Sequence, residues 1–409
     1  MRRKLVVVGN GMAGMRTVEE VLRIAPDLYD ITIFGAEPYG NYNRILLSPL
    51  LAGELRIDDI LLHDEEWYRA KGITFYKGKP VAAIDRRRRE VVAADGTVAR
   101  YDRLLLATGS LPYMLPIPGA DLPGVIGFRD VADVNRMLAS SRHHEYAVVI
   151  GGGLLGLEAA NGLRKRGMKV TLVHLMPTLM EQQLDGDAGR LLRGSLELRG
   201  LDFIMPAETV EILGSDRVSD VRLKDGREIP ADLVVMTVGI RPNVALARTA
   251  GLHCRRGIVV DSTMLTYDPA IYAVGECAES HGRTYGLVAP LYEQAKVCAN
   301  HLVGWGCARY PGSLAAAKLK VTGIELFSAG NVSGGAGAES IVLHDRSSGV
   351  YKKLFLRNNR IDGAVLYGDT ADGPWYVRLM RERTDISSIR HAVMFGQAQI
   401  EERGSRAAA

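Results

Sequence analysis

The sequence predicts an α/β protein: two parallel-sheet units that repeat one another, followed by a smaller α+β domain. Three observations carry this prediction. Two apolar runs of strand length lead straight into G-x-G-x-x-G and then into a helical pattern. Both copies close with the same spacing from an Asp-Gly turn to a later glycine. Beyond about residue 313 the chain alternates as strands do before it turns helical.

The first copy opens with Leu5-Val6-Val7-Val8-Gly9-Asn10-Gly11-Met12-Ala13-Gly14, and the second with Ala147-Val148-Val149-Ile150-Gly151-Gly152-Gly153-Leu154-Leu155-Gly156. A second short strand follows each, at Ile31 to Phe34 and at Val170 to Val173. Asp95-Gly96 then precedes Leu104-Leu105-Leu106-Ala107-Thr108-Gly109, and Asp225-Gly226 precedes Leu233-Val234-Val235-Met236-Thr237-Val238-Gly239. The turn glycine and the closing glycine are 13 residues apart in both. Matching order and spacing make this an internal duplication.

Each glycine has its own task. Gly9 and Gly151 permit the tight turn, Gly11 and Gly153 let the backbone approach a pyrophosphate, and Gly14 and Gly156 let the helix lie close on the strand. The helix N-terminus then offers free N–H groups and a positive dipole end to the phosphates. Each copy is therefore expected to bind a dinucleotide. The residue ending the second strand normally reads a ribose. In the first copy this is Glu37, a carboxylate that accepts from ribose hydroxyls. In the second it is His174, which neither repels a 2′-phosphate nor binds it firmly unless protonated. The second site is thus read as NAD(P)H, leaning to NADH.

Bulk properties bound the rest. At 409 residues the chain exceeds one ordinary core. The net charge of +4 is small, and no basic stretch is interleaved with aromatics, so a nucleic-acid partner is not expected. The run Arg86 to Arg89 lies between two short strand-like segments and reads as a solvated turn, or as a docking surface for an acidic protein. Met1-Arg2-Arg3-Lys4 imitates a signal peptide, but the apolar run breaks at Gly9. A buried first strand, no membrane segment and a cytoplasmic location are expected. Cys254, Cys277, Cys298 and Cys307 form no C-x-x-C pair, so reduced buried thiols are expected and no metal site.

With both glycine motifs in place, residues 1 to about 310 resemble the flavoprotein disulfide reductase superfamily, a glutathione-reductase-like arrangement. The resemblance implies FAD on the first copy and NAD(P)H on the second. Thr266-Tyr267-Asp268-Pro269-Ala270-Ile271-Tyr272-Ala273-Val274-Gly275-Glu276 looks like the second FAD fingerprint, with Glu276 where Asp is usual. A helix starting near Pro290 would aim its N-terminus at the flavin. By the same resemblance Met12, Ala13, Arg44, Ser48, Val81, Ala107, Thr108, Gly109, Arg129, Pro290 and Leu291 join the FAD site, and Leu154, Leu155, Gly239 and Ile240 the NAD(P) site.

Disulfide reductases carry a cysteine pair soon after the first copy's second strand. Here that stretch reads Tyr39-Gly40-Asn41-Tyr42-Asn43-Arg44-Ile45-Leu46-Leu47-Ser48-Pro49, without cysteine. It resembles instead the reductases of separate redox proteins, whose arginine, here Arg44, contacts FAD. Their lysine near the flavin is replaced by Pro49, while its carboxylate partner has a counterpart in Glu158. Glu158 and Arg44 are the candidate catalytic residues.

Several segments resemble the flavoprotein portion of assimilatory NAD(P)H nitrite reductase large subunits. They are Gly9 to Met12, Gly151 to Ala160, Met180-Glu181-Gln182-Gln183-Leu184-Asp185, Gly239-Ile240-Arg241-Pro242, Gly275-Glu276-Cys277-Ala278, Ala317 to Gly323 and Gly368-Asp369-Thr370-Ala371-Asp372. The cysteine-rich iron–sulfur and sirohaem domains of such subunits have no counterpart in these 409 residues, so an electron-input component is expected. NAD(P)H would pass hydride to the flavin, and electrons would leave to an external partner: rubredoxin, ferredoxin, or a nitrite or nitrate reductase subunit. A direct NADH oxidase and a non-catalytic NAD(P)H-sensing flavoprotein are the alternatives, and a homodimer stays open. The expected domains are 1–115 with 250–312 for FAD, 116–249 for NAD(P), 313–400 for the C-terminal domain, and a disordered tail at 401–409.

Overall fold

The computed structural model describes residues 2–314, 316–321, 323–335 and 337–401. Apart from Glu401, the expected tail lies outside the described residues. Packing divides the chain into two compact units. The first comprises the residues up to Leu50, Glu54–Tyr113 and Gly239–Ser313. The second comprises Leu51–Gly53, Met114–Val238 and the chain from Leu314 onward.

The first unit is built on a five-stranded sheet in the order Ile271–Ala273, Arg103–Leu106, Arg3–Val8, Tyr29–Phe34, Thr74–Tyr76. All its pairs are parallel. The leading strand reads Arg-Lys-Leu-Val-Val-Val, and its four apolar residues are buried. Such a run suits a strand covered on both faces, as a parallel sheet between helices requires. The helix Met12–Ile24 follows, burying Met15, Val18 and Val21 on one side. It stops at Ala25, before Pro26, because proline disfavours helical backbone in the residue ahead of it. An antiparallel meander, Val81–Asp85, Glu90–Ala93 and Val98–Arg100, completes the copy.

The second unit repeats this plan strand for strand. Its sheet runs Val125–Gly127, Leu233–Met236, Tyr146–Ile150, Lys169–Val173, Asp202–Ile204, again all parallel. Its meander is Thr209–Gly214, Val218–Leu223 and Glu228–Pro230. Register repeats as well: Val8 stands opposite Leu106, and Ile150 opposite Met236. One edge strand differs in origin. In the first unit it comes after the copy, at Ile271–Ala273, and in the second before it, at Val125–Gly127.

Chain packing returns to the first unit at Gly239, earlier than the boundary at 250 drawn from sequence. The reason is a two-stranded antiparallel ribbon, Ser110–Pro112 with Ile240–Pro242. It binds the outgoing and returning segments together, with Tyr113 N–H donating to Gly239 O and Asn243 N–H to Gly109 O, each at 2.9 Å.

From Ala316 the chain forms a five-stranded antiparallel sheet, Ala316–Val321, Ile324–Gly330, Arg360–Tyr367, Val350–Arg357, Glu339–Asp345. The helix Gly373–Glu382 buries Trp375, Tyr376, Leu379 and Met380 in that domain's own core. Asn358-Asn359, both with positive φ, make the hairpin turn, as two central residues in the left-handed region do. This domain has a separate core yet is packed as part of the second unit. Tyr351 and Lys353 both donate to Asp185, at 2.7 and 2.9 Å.

Candidate functional site

In the first unit the leading strand delivers Gly9 to the carboxyl end of the sheet with φ +111°, a conformation few side chains tolerate. A Cβ here would meet Ala107 O at 2.1 Å. Gly9 N–H donates to Phe34 O, and Ala107 N–H to Val8 O, so the turn is pinned from two neighbouring strands. A Cβ on Gly14 would stand 2.9 Å from the Ala107 Cβ and 3.0 Å from Gly9 O. Gly11 differs: nothing lies within 4 Å of its Cβ position. It is also the N-cap of Met12–Ile24, and no side chain caps that helix end. An open cradle over uncapped N–H groups fits a pyrophosphate.

Around this cradle the structure gathers residues far apart in sequence. Tyr42 donates to Glu37 Oε2 at 2.7 Å, and Arg44 pairs with Glu37 Oε1. Both expected residues are thus brought together, and the ion pair orients Glu37 while leaving lone pairs on each oxygen for ribose hydroxyls. Ser110 donates to Glu276 at 2.7 Å. Gly275, at φ +90°, presses against Ala13: a Cβ there would lie 2.9 Å from the Ala13 Cβ. The Thr108 hydroxyl is committed to Asn243 O at 2.6 Å. Val81 is half-buried on the meander, and Ser48 sits in the short helix Leu47–Ala52.

The helix expected near Pro290 begins at Val288, with Leu287 as N-cap, so Pro290 is its third residue. Proline is tolerated there because the first four N–H groups of a helix have no partner within it. Pro290 and Leu291 are both buried. Arg129 falls in the second unit, where its N–H donates to Asp133 at 2.6 Å beside the helix Val131–Ser141.

Sequence reasoning missed a polar cluster under the first loop. Tyr68 donates to Asn10 Oδ1 at 2.8 Å and accepts from Asn41 N–H at 3.1 Å. Asn41 donates to Asn10 O at 2.8 Å. The Asn41 Oδ1 is buried and makes no hydrogen bond among the described residues. Burial pushes the Tyr68 phenol up to about 12. Asn10 lay within the motif, but nothing in the sequence pointed to Tyr68 on its short helix Glu65–Ala70. Gln294 was also missed: fully buried, it accepts from Gly275 N–H at 2.9 Å.

The second loop repeats the first. Gly151 has φ +116°, and Gly156 lies so close that a Cβ would stand 1.9 Å from Gly151 O. Gly153 is open and caps Leu154–Lys165 without a side-chain hydrogen bond. Leu154 and Leu155 begin that helix, and the half-buried Glu158 lies one turn further on. Gly239 and Ile240 belong to the ribbon of the first unit.

His174 is buried, and its ring lies under the loop: a Cβ on Gly152 would stand 2.7 Å from its Cγ. Nδ1 accepts from Gly152 N–H at 3.0 Å. The proton therefore sits on Nε2, which is 3.2 Å from both Thr178 O and Glu181 Oε2. Both ring nitrogens of His174 are thus engaged within the chain. The ring braces the glycine loop.

The remaining expectations concern charge and thiols. Arg86 is tied to Asp268 at 2.8 Å and to Tyr267 at 2.6 Å. Asp85 accepts from the N–H groups of Arg87 and Arg88, so the basic run is a structured turn. Cys277 and Cys298 are buried, and burial pushes both thiols up, away from thiolate character. Cys307 is exposed and Cys254 partly so, against the expectation that all four are buried. Among the described residues no helix is long and apolar enough to cross a membrane.

Residues 3–301 match the family described as pyridine nucleotide-disulphide oxidoreductase, and residues 316–384 match the rubredoxin NAD+ reductase C-terminal domain. The chain is 51% identical over 386 residues to a nitrite reductase [NAD(P)H] of Bacillus subtilis, covering 94% of this chain and 48% of that protein. It is 45% identical over 393 residues to the assimilatory nitrate reductase electron transfer subunit of the same organism, covering 96% and 51%. The chain thus spans about half the length of these relatives. Among solved structures, a putidaredoxin reductase–putidaredoxin complex matches with a TM-score of 0.84 at 26% identity, covering 94% of each chain.

Proposed function

The chain belongs to the pyridine nucleotide-disulphide oxidoreductase family, and from that premise we propose that it takes electrons from NAD(P)H through FAD to a separate redox protein. The acceptor we favour is an iron–sulfur carrier or a nitrite or nitrate reductase component. The observation that carries this reading is the doubled glycine loop, open at Gly11 and at Gly153 in two different units. One loop holds the FAD and the other the NAD(P)H. We place the protein in the cytosol, where NAD(P)H is regenerated.

The residues divide the work as follows. Gly9 and Gly14 set the first loop so that Gly11 admits the FAD pyrophosphate, and Glu37, aligned by Arg44 and Tyr42, receives the ribose hydroxyls. Ser110 fixes Glu276 for the ribityl chain. The N-terminus of Val288–Leu302 contributes a positive dipole end, which favours negative charge on the isoalloxazine. Glu158 is the carboxylate we assign to the nicotinamide side. Bound FAD supplies a centre that accepts electrons in a pair and releases them singly. No cysteine occurs between Tyr39 and Pro49, and Cys277 and Cys298 are held protonated. Electrons therefore pass outward rather than to a protein dithiol.

The test is anaerobic mixing of the FAD-loaded protein with NADH, followed by addition of rubredoxin, ferredoxin, viologen dyes or nitrite. The flavin absorbance should bleach within seconds and recover on addition of a carrier. A flavin that stays oxidised would sink the proposal, as would oxygen consumption that no carrier accelerates.

A further inference from the structure

We infer that Glu181, not the strand-end residue His174, reads the adenosine ribose of the nicotinamide nucleotide and sets the preference for NADH over NADPH. This rests on the reading of the second glycine loop as the nicotinamide site.

The usual place for a ribose-reading carboxylate is the end of the second strand. In the first unit Glu37 supplies it, three residues beyond Tyr29–Phe34. In the second unit His174 follows Lys169–Val173 there, but its ring is turned inward and spent on Gly152, Thr178 and Glu181. The carboxylate arrives from further along the chain.

Three features bring it. Met180 N–H donates to Gly152 O at 3.0 Å, so the segment carrying Glu181 is stitched to the glycine loop itself. Met180 takes φ +52°, which reverses the chain, and Leu179 and Met180 are fully buried as anchors. Gln183 and Leu184 N–H groups both return to Met180 O, closing the turn.

Glu181 emerges from this turn with its side chain 34% exposed and Oε2 3.2 Å from His174 Nε2. Its other oxygen, Oε1, makes no hydrogen bond among the described residues. A carboxylate with one oxygen fixed and the other free is arranged to accept from a ribose 2′-hydroxyl. The same charge repels a 2′-phosphate. Leu175 and Met176, 60% and 42% exposed, lie next in sequence to His174 and offer an apolar surface for an adenine. His174 then acts as a positioning residue: Gly152 fixes its tautomer, and its Nε2–H orients Glu181.

The experiment uses the FAD-loaded protein and two probes that cannot be reduced, ADP-ribose and 2′-phospho-ADP-ribose, titrated calorimetrically. Wild type should bind ADP-ribose more tightly. Glu181→Gln keeps an acceptor for His174 but removes the charge. It should narrow the affinity ratio by about tenfold, the scale of one charge-assisted hydrogen bond, with the thermal midpoint unchanged. Glu181→Ala should narrow it at least as far. An unchanged ratio in Glu181→Gln overturns the inference, as does a wild type that does not discriminate. If the wild type binds neither probe and NADH leaves the flavin oxidised, the nicotinamide reading of this loop fails, and the inference with it.

Discussion

Gly153 and Gly156 are neighbours on one loop and answer to different constraints. A methyl on Gly156 would collide with Gly151 O at 1.9 Å and Thr237 Oγ1 at 2.7 Å, both fixed by the sheet. Gly156→Ala should cost roughly 3 kcal/mol or more, since the Gly151 oxygen is backbone and cannot retreat without moving the loop. At Gly153 the same methyl meets nothing within 4 Å. Gly153→Ala should change stability by under about 1 kcal/mol, the scale of an N-cap change. It should weaken nucleotide binding nonetheless, because the methyl would enter the open space proposed for the pyrophosphate. Denaturant melts and ADP-ribose titrations of the two variants, side by side, separate the roles. A second residue-scale prediction concerns pH. The Tyr68 phenol, pushed up to about 12 by burial, holds its proton more tightly folded than unfolded. Its contribution is complete below pH 10 and is lost as pH rises towards 12, by roughly 2–3 kcal/mol. Tyr68→Phe should flatten that part of the stability curve, as urea melts between pH 9 and 12 would reveal.

At the scale of elements, Asp185 holds three parts of the second unit. It caps the helix Gly186–Glu197 through Ala188 N–H at 3.3 Å. It also accepts from Tyr351 and Lys353 on the C-terminal sheet. Its side chain is only 8% exposed, so losing it strands a lysine and a tyrosine together with a helix end. Asp185→Ala should cost roughly 3–5 kcal/mol, as breaking one side of a buried pair does. A double-mutant cycle with Lys353→Met should return a coupling of at least about 1 kcal/mol. Additive effects would mean that the two sheets are joined elsewhere. Asp185 also ends the segment that begins at His174, so the C-terminal sheet anchors the strap that carries Glu181.

For the molecule as a whole, each nucleotide stabilises the unit whose loop it occupies. Binding to the folded form alone adds stability that grows with ligand concentration over Kd. Removing FAD should therefore increase proteolytic cutting of the first unit and leave the second protected by ADP-ribose. Mass spectrometry of the fragments would check this, and equal loss in both units would contradict it.

Much of this plan was legible in the sequence because duplication repeats local rules. The glycines need positive φ or contact with a backbone atom at fixed offsets, and the apolar runs need burial on both faces. Both are matters of spacing, so strand, loop, helix and closing strand were found twice, while the pairing of the strands came from the structure. Glu37 was found from its place after the second strand, and Arg44 from the resemblance of the stretch Tyr39 to Pro49. Tyr68, Gln294 and Glu181 carry no such periodic signal. Each reaches its loop from a separate segment, and only packing selects it.

His174 draws the line most clearly. By itself the sequence determined that a residue stands at the end of the second strand, that it is a histidine, and that a carboxylate is missing from that place. Only the tertiary structure decided which way the ring turns. Gly152 lacks the Cβ that would exclude the imidazole, and its N–H fills the ring's one lone pair. The histidine therefore goes beneath the loop, and a carboxylate from the following turn takes the exposed position. Strand-end identity follows from chain order, whereas orientation follows from which partners the folded chain places within hydrogen-bonding reach.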